Sequence, residues 1–214
     1  MEPIFALAGA VTSAYLIGSF PTSFLLARIV KGIDIRQVGS KNSGATNVLR
    51  SVGKLPALIT LVIDILKGTI AVTLIANYFY SFSPEIEYDA YRGLMGLTVV
   101  SGHIWSVFLR FRGGKGVATT LGVAIGITPF ALIPSAMIWL LVFYITNFVS
   151  LASIMALLLF PAVTCILKYS FYTILASVAI CSLSIYKHKD NIRRLVRGEE
   201  NKTYVFKKNP HNPA

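Results

Sequence analysis

Long apolar runs alternate with short polar clusters along this chain, and inside the runs there is no every-other-residue alternation of the kind strands show. Apolar stretches cover about Ile4 to Ala27, Leu55 to Tyr80, Arg92 to Leu109, Val149 to Leu167 and Phe171 to Tyr186. Most approach or exceed the roughly 17–25 residues that take a helix across a bilayer. A helix satisfies its own backbone in lipid, and these runs are rich in Leu, Ile, Val and Ala, so helices are predicted over a barrel. One region resists counting by length. Val117 to Ile127 is apolar, Thr128-Pro129 interrupts, and Phe130 to Ile145 is apolar again.

Composition and charge resolve the count. Of the 214 residues, 55% are hydrophobic and only 14% charged, with a mean hydropathy of +0.67; a soluble domain carries about 25% charged residues. The net charge of +11 would point to nucleic acid in a soluble chain. Here 17 of the 20 Lys and Arg residues fall in three segments, Arg28 to Lys54, Arg110 to Lys115 and Lys187 to Lys208. Clustering of this kind marks cytoplasmic segments of a membrane protein. Ser81 to Tyr91 holds Glu85, Glu87 and Asp89 and no basic residue, which suits the opposite side. No aromatic-interleaved RNA motif accompanies the basic segments, so no nucleic-acid partner is expected.

If the Arg110–Lys115 loop and the tail after Lys187 both lie inside, an even number of crossings separates them. Reading Val117 to Ile145 as one helix gives three crossings; splitting it at Thr128-Pro129 gives four. Proline disfavours helical geometry in the residue before it, so the split is predicted. The fold class is therefore all-α: a polytopic integral membrane protein of about seven transmembrane helices, N-terminus outside and C-terminus cytoplasmic. Val117 to Ile127 would be only about 16 Å long, and is expected to begin nearer Gly114 or to cross a thinned part of the protein. Glu2 and the absence of Lys or Arg before the first run argue for a first span rather than a signal peptide. Cys165 and Cys181 sit in apolar stretches and are expected to be small core residues. Residues 1–198 form a single transmembrane domain, and the polar tail 199–214 is expected to be poorly ordered.

Three polar clusters carry candidate chemistry. The first, Gly39 to Arg50, packs Ser40, Asn42, Ser43, Thr46, Asn47 and Arg50 beside a membrane. Ser43 or Asn42 is suited to cap a short helix that puts Thr46 and Arg50 on one face, and a helix start attracts anions. Hydrophilic loops also use Ser, Asn and Gly, though seldom this densely next to a bilayer. The second cluster, Arg112-Gly113-Gly114-Lys115-Gly116, surrounds a lysine with glycines at the start of an apolar run, which suits phosphate; it is not a Walker A motif, and alone it reads equally as a flexible turn. In the third, Lys187 to Arg194, His188 and Asn191 share a helix face, although a basic stop at the membrane edge explains the segment by itself. Asp64 and Lys67 lie inside a span, where charges are either paired or functional. A lone helix histidine such as His103 is more often packed than catalytic, and Ser150 and Ser153 are either caps or ligands.

Together the clusters read G-S-x-N-x-G-A-T-N-x-x-R, D-x-x-K-G, G-H…G-G-K-G-V-A-T and K-H-K-D-N-I-x-R-L. In this order the chain resembles the bacterial acyl-phosphate-dependent glycerol-3-phosphate acyltransferases, the PlsY family, from about Tyr15 to Gly198. The resemblance implies a seven-helix fold in a bacterial cytoplasmic (inner) membrane, with the site facing the cytoplasm. It implies transfer of a fatty acyl group from acyl phosphate to the 1-hydroxyl of glycerol 3-phosphate, giving lysophosphatidate and phosphate, the first acylation in phospholipid synthesis. By motif position it assigns Ser40, Asn42 and Arg50 to the first motif, Gly113, Gly114, Lys115 and Gly116 to a phosphate loop, and Ser150, His188 and Asn191 to the rest of the site. One departure stands out: Ser106 occupies a position where the family usually has proline, which puts the local helix geometry in question.

The expected mechanism is proximity and charge stabilisation around an already reactive mixed anhydride, with no covalent acyl-enzyme. Ser40, Arg50, Lys115, His188 and Asn191 are the expected catalytic residues; Asn42, Thr46, Asn47, Gly113, Gly114, Gly116 and Ser150 are expected to bind substrate. Arg50, Lys115 and the Gly113–Gly116 amides would hold phosphates, and the hydroxyl proton would go to a substrate phosphate oxygen or to His188. No cofactor is expected, and no carboxylate cluster points to a metal ion. Substrates and membrane lipids are the expected partners of a monomer. Acyl-CoA and acyl-carrier-protein enzymes use H-x-x-x-x-D, which neither His103 nor His188 begins, since Phe108 and Arg193 stand five residues on. A transporter would need a midplane site and usually inverted repeats, and no repeat is visible.

Overall fold

The computed structural model describes residues 2–82 and 85–204, and every regular element among them is a helix. In chain order these are α1 (Pro3–Ser19), α2 (Thr22–Lys31), α3 (Ala45–Ser51), α4 (Lys54–Ile70), α5 (Ala76–Tyr80), α6 (Tyr88–Ile104), α7 (Val117–Ile127), α8 (Pro129–Thr146), α9 (Val149–Ile166), α10 (Phe171–Tyr186) and α11 (Lys189–Val196). A π turn, Ala71–Ile75, joins α4 and α5 into one 27-residue helix. Among the described residues, four stretches are long and apolar enough to cross a membrane: Pro3–Lys31, Lys54–Tyr80, Pro129–Thr146 and Val149–Ile166; α7 and α10 are apolar but shorter. Side chains such as Phe130, Met137, Leu158 and Phe171 stand exposed on the outside, a surface made for lipid rather than water.

The break at Thr128-Pro129 is present: α7 ends at Ile127, and α8 starts on the proline. The first span departs from expectation. It is not one helix to Ala27 but two, interrupted at Phe20-Pro21. Pro21 has no N–H to give, and the break leaves carbonyls within a spanning segment, which is tolerable only where protein groups reach them. Lys67 Nζ donates to Phe20 O at 2.6 Å, and Ser106 Oγ donates to Ser19 O at 2.5 Å. The third span is also displaced, running Tyr88–Ile104 and followed by a 3₁₀ turn at Val107–Leu109. Ser106 sits at φ −62°, an angle that a proline ring adopts. The local geometry thus survives the substitution, and the serine hydroxyl gains a bond to Ser19.

Packing follows close helix approaches. α1 lies along α6, α4 along α7 and α8 along α9, while α10 packs on both α6 and α9. The α4–α7 crossing depends on glycine: a Cβ on Gly68 would lie 2.1 Å from Thr119 O, and one on Gly122 would lie 1.9 Å from Ile65 O. Small residues allow such contact between membrane helices, and here the contact brings Asp64 and Lys67 close to the loop that enters α7. Arg92 of α6 is accommodated among apolar helices by donating to Val72 O in the π turn and to Gly126 O at the end of α7. Cys181 is buried in the core, as expected; Cys165 is exposed instead, in the last turn of α9, where Ile166 and Leu167 are exposed as well.

Candidate active site

The three polar clusters meet at one end of the bundle, around a cavity of about 440 Å³. Arg50, Lys115, His188 and Asn191 line its polar end, and Leu61, Leu132, Trp139 and Phe160 line its apolar continuation between helices. Trp139 is fixed there by its indole N–H, which donates to Ser153 Oγ at 3.1 Å. Ser40, Asn42, Thr46, Asn47, Gly116 and Ser150 also face the cavity. Of the residues expected at the site, Gly113 and Gly114 alone do not.

The first cluster is a loop wound around one side chain. Asn47 is 1% exposed; its amide nitrogen donates to Ile35 O, Val38 O and Asn42 O at 2.9–3.1 Å, and its oxygen accepts from the Ser40 N–H at 3.0 Å. Its hydrogen-bonding groups thus serve the loop, and Asn47 shapes the site more than it can bind substrate. The helix start also differs from expectation. Gly44, not Ser43 or Asn42, is the N-cap of α3, and the Ser43 hydroxyl is buried with no hydrogen-bond partner among the described residues. Thr46 and Arg50 do share the face of α3 that lines the cavity.

The glycine loop divides into two halves. The Gly113 N–H donates to Ile104 O and the Gly114 N–H to His103 O, each at 3.1 Å. These amides are therefore spent on the end of α6, which corrects the expectation that all four loop amides serve phosphate. Lys115 and Gly116 form the other half, facing the cavity at the start of α7. Lys115 makes no hydrogen bond among the described residues. Burial lowers its pKa to about 8; the Glu200 charge opposes that shift, and Arg194 and Arg50 add to it.

His188 is 2% exposed, between α10 and α11, with Nδ1 2.8 Å from Ser184 O. A carbonyl only accepts, so Nδ1 carries the hydrogen and Nε2 is left as an acceptor. Burial, then the Lys115 charge, holds the imidazole pKa down at about 4, so the ring is neutral near pH 7.

The tail yields the main correction. Residues 199–204, expected to be poorly ordered, fold back across the polar end; residues 205–214 lie outside the described residues. Gly198, at φ +72°, reverses the chain, and the Thr203 N–H donates to Asn147 O at 2.9 Å. The buried Glu200 carboxylate accepts from Ser150 Oγ at 3.1 Å, Asn191 Nδ2 at 2.9 Å and Arg194 Nε at 2.8 Å. Arg50 donates to Thr203 Oγ1 and to Asn201 O. Residues 199–204 are held in place because a buried carboxylate requires partners, and three donors converge on it. Sequence reasoning missed Glu200 and Thr203; the only hint was the acid pair Glu199-Glu200 in an otherwise basic tail.

Comparison with known proteins now adds to this geometry. Residues 8–198 match the family model described as glycerol-3-phosphate acyltransferase. The chain belongs to that family. The glycerol-3-phosphate acyltransferase of Geotalea daltonii is 46% identical over 198 residues, covering 92% of this chain and 96% of the relative. That of Endomicrobium trichonymphae is 41% identical over 194 residues, covering 91% and 94%. A crystal structure of PlsY, an integral membrane glycerol 3-phosphate acyltransferase, in its glycerol 3-phosphate form superposes with a TM-score of 0.84 at 36% identity, covering 93% of this chain and 96% of that one. The lysophosphatidic acid form gives 0.81 at 35% identity. In this family member the matched region stops at Gly198, two residues before the carboxylate that ties the polar end together.

Proposed function

We propose that this chain transfers a fatty acyl group from acyl phosphate to the 1-hydroxyl of glycerol 3-phosphate, yielding lysophosphatidate and phosphate. The observation that carries the proposal is the single cavity that joins a cationic end, at Arg50 and Lys115, to an apolar groove between helices. One substrate is a small phosphate ester and the other a phosphate with a long chain, and both shapes fit such a space. Family membership supports the acceptor; the donor rests on the shape and charge of the cavity.

In the step itself, the glycerol hydroxyl oxygen forms a bond to the acyl carbon, the bond from that carbon to the phosphate oxygen breaks, and phosphate leaves. The hydroxyl proton goes to a phosphate oxygen. His188, with its pKa near 4, is a poor proton acceptor at neutral pH, where a general base works best with a pKa near 7. Its Nε2 instead orients the hydroxyl by accepting a hydrogen bond. Lys115 and Arg50 hold the phosphates and oppose the charge that builds on the leaving group. Ser150 and Asn191, set by Glu200, complete the rim with Ser40 and Asn42. The charge distribution supports seven crossings, with the N-terminus outside and this end facing the cytoplasm of a bacterial inner membrane. The domain spans residues 1–198 together with the returning segment 199–204, and it works as a monomer.

Phosphate release by the purified protein, given palmitoyl phosphate and glycerol 3-phosphate, tests the proposal, with Lys115→Met as control. Release that requires both substrates, yields lysophosphatidate and disappears in the control is expected. Turnover with acyl-CoA and none with acyl phosphate would overturn the donor assignment.

A further inference from the structure

Three ionisable side chains play no part in the step above; Asp64 and His103 line the cavity, and Lys67 does not. Asp64, Lys67 and His103 are 2%, 4% and 8% exposed. Lys67 Nζ lies 2.6 Å from Asp64 Oδ1 and also donates to Phe20 O, so the ammonium is held by a carboxylate and by the break between α1 and α2. The same Asp64 oxygen stands 3.8 Å from His103 Nδ1, within packing contact but longer than a hydrogen bond.

The far side of the His103 ring meets the glycine loop. A Cβ on Gly114 would come within 2.3 Å of His103 Nε2 and 2.8 Å of Ser43 O. The Gly114 Cα is thus wedged between the imidazole and the first polar loop, while its N–H is bonded to His103 O. Lys115 is the next residue, and it faces the cavity.

We propose that His103 is a positioning residue that seats the glycine loop. Its ring, steadied by Asp64, sets where Gly114 lies and so where the Lys115 ammonium meets phosphate. Asp64 and Lys67 act as the footing of this wedge. They lie within the bundle, and their partners belong to elements that must hold still, the α1–α2 break and the end of α6. Misplacing a phosphate-holding cation by a fraction of an ångström is costly in a reaction that works by orientation, by about tenfold to a hundredfold in rate. The inference rests on Lys115 as the phosphate-holding cation.

The test compares wild type with His103→Ala, His103→Gln, His103→Asn, Asp64→Asn and the Asp64→Asn/His103→Ala pair, all purified in detergent. Two readouts are taken: kcat/KM for glycerol 3-phosphate, and hydrogen–deuterium exchange of the peptide spanning 110–117. His103→Ala is expected to lower kcat/KM about tenfold or more and to speed exchange in that peptide alone, leaving the α6 and α7 peptides protected. Gln keeps a polar atom at the Nε2 position against Gly114, whereas Asn keeps one only at the Nδ1 position; Gln is therefore expected to retain more activity. Adding Asp64→Asn to His103→Ala should cost little more, because residues acting through one contact do not add. Wild-type exchange in the His103→Ala loop, equal or better retention by Asn, or additive losses would each overturn the proposal. If the wild type shows no turnover, the acyltransferase proposal fails, and the exchange pattern still decides the role of His103.

Discussion

Two buried carboxylates bracket the Lys115 loop, Glu200 above and Asp64 below, and they hold it by different means. Glu200 arrives from the segment that follows α11 and gathers three donors from α9 and α11, two of which, Ser150 and Asn191, face the cavity themselves. Asp64 is fixed in the middle of α4 and pairs with Lys67 one turn away. The upper carboxylate is part of the cavity wall, so its charge is felt by Lys115 directly. The lower one lines the same cavity, and it meets the glycine loop beside the His103 ring. A single loop is thus set in charge from one side and in position from the other.

The comparison can be broken most severely at Glu200. Glu200→Ala leaves Ser150, Asn191 and Arg194 without their shared acceptor. Breaking a buried ion pair costs about 3–5 kcal/mol, and Arg194, a third exposed, puts the loss at the low end. Thermal unfolding in detergent is expected to drop by roughly 6–12 °C, with a fall in kcat/KM of about a hundredfold. An unchanged melting temperature would contradict the role given to the returning tail.

A finer separation comes from pH. Lys115 loses its charge as pH rises through about 8, so kcat/KM should fall on an alkaline limb near that value. Glu200 raises the Lys115 pKa; Glu200→Gln should therefore move the limb to lower pH. Asp64→Asn should leave the limb in place while lowering the plateau. The pH profiles of the three proteins decide this, and a limb that shifts equally in both variants would erase the distinction between charge and position. The smallest effect is expected at Ser106, whose hydroxyl bond to Ser19 is the only side-chain hydrogen bond it makes among the described residues. Ser106→Pro suits the observed φ and loses one bond worth about 1 kcal/mol, so activity should stay near wild type and the melting temperature should shift by a few degrees at most.

The two carboxylates also differ in how far the sequence discloses them. Asp64 and Lys67 announce themselves as charges three residues apart in an apolar run, although nothing local shows that His103 completes the group. Glu200 is hidden because its partners lie six to fifty residues away and its neighbours have the composition of a solvated tail. The helices and the break at Thr128-Pro129 were legible, since length, hydropathy and proline act locally. The break at Phe20-Pro21 was not, because its cost is met by Lys67 and Ser106 from distant segments. Residues of the three clusters line one cavity, and the division of the glycine loop escaped notice because it depends on which carbonyls α6 presents to it. Asn47 looked like a ligand for the same reason: an amide that organises a loop has the same letter as one that binds substrate.

Synthesis runs from the N-terminus, so Glu200 and Thr203 leave the ribosome after every other side chain assigned to the site. A chain that stops at Gly198 already holds the two cations that line the cavity, Arg50 and Lys115, and the apolar groove, and it lacks the carboxylate that draws Ser150, Asn191 and Arg194 into register. A copy cut at Gly198 would then carry a cationic pocket that nothing closes, and residues 199–204 are what distinguish the longer chain from it.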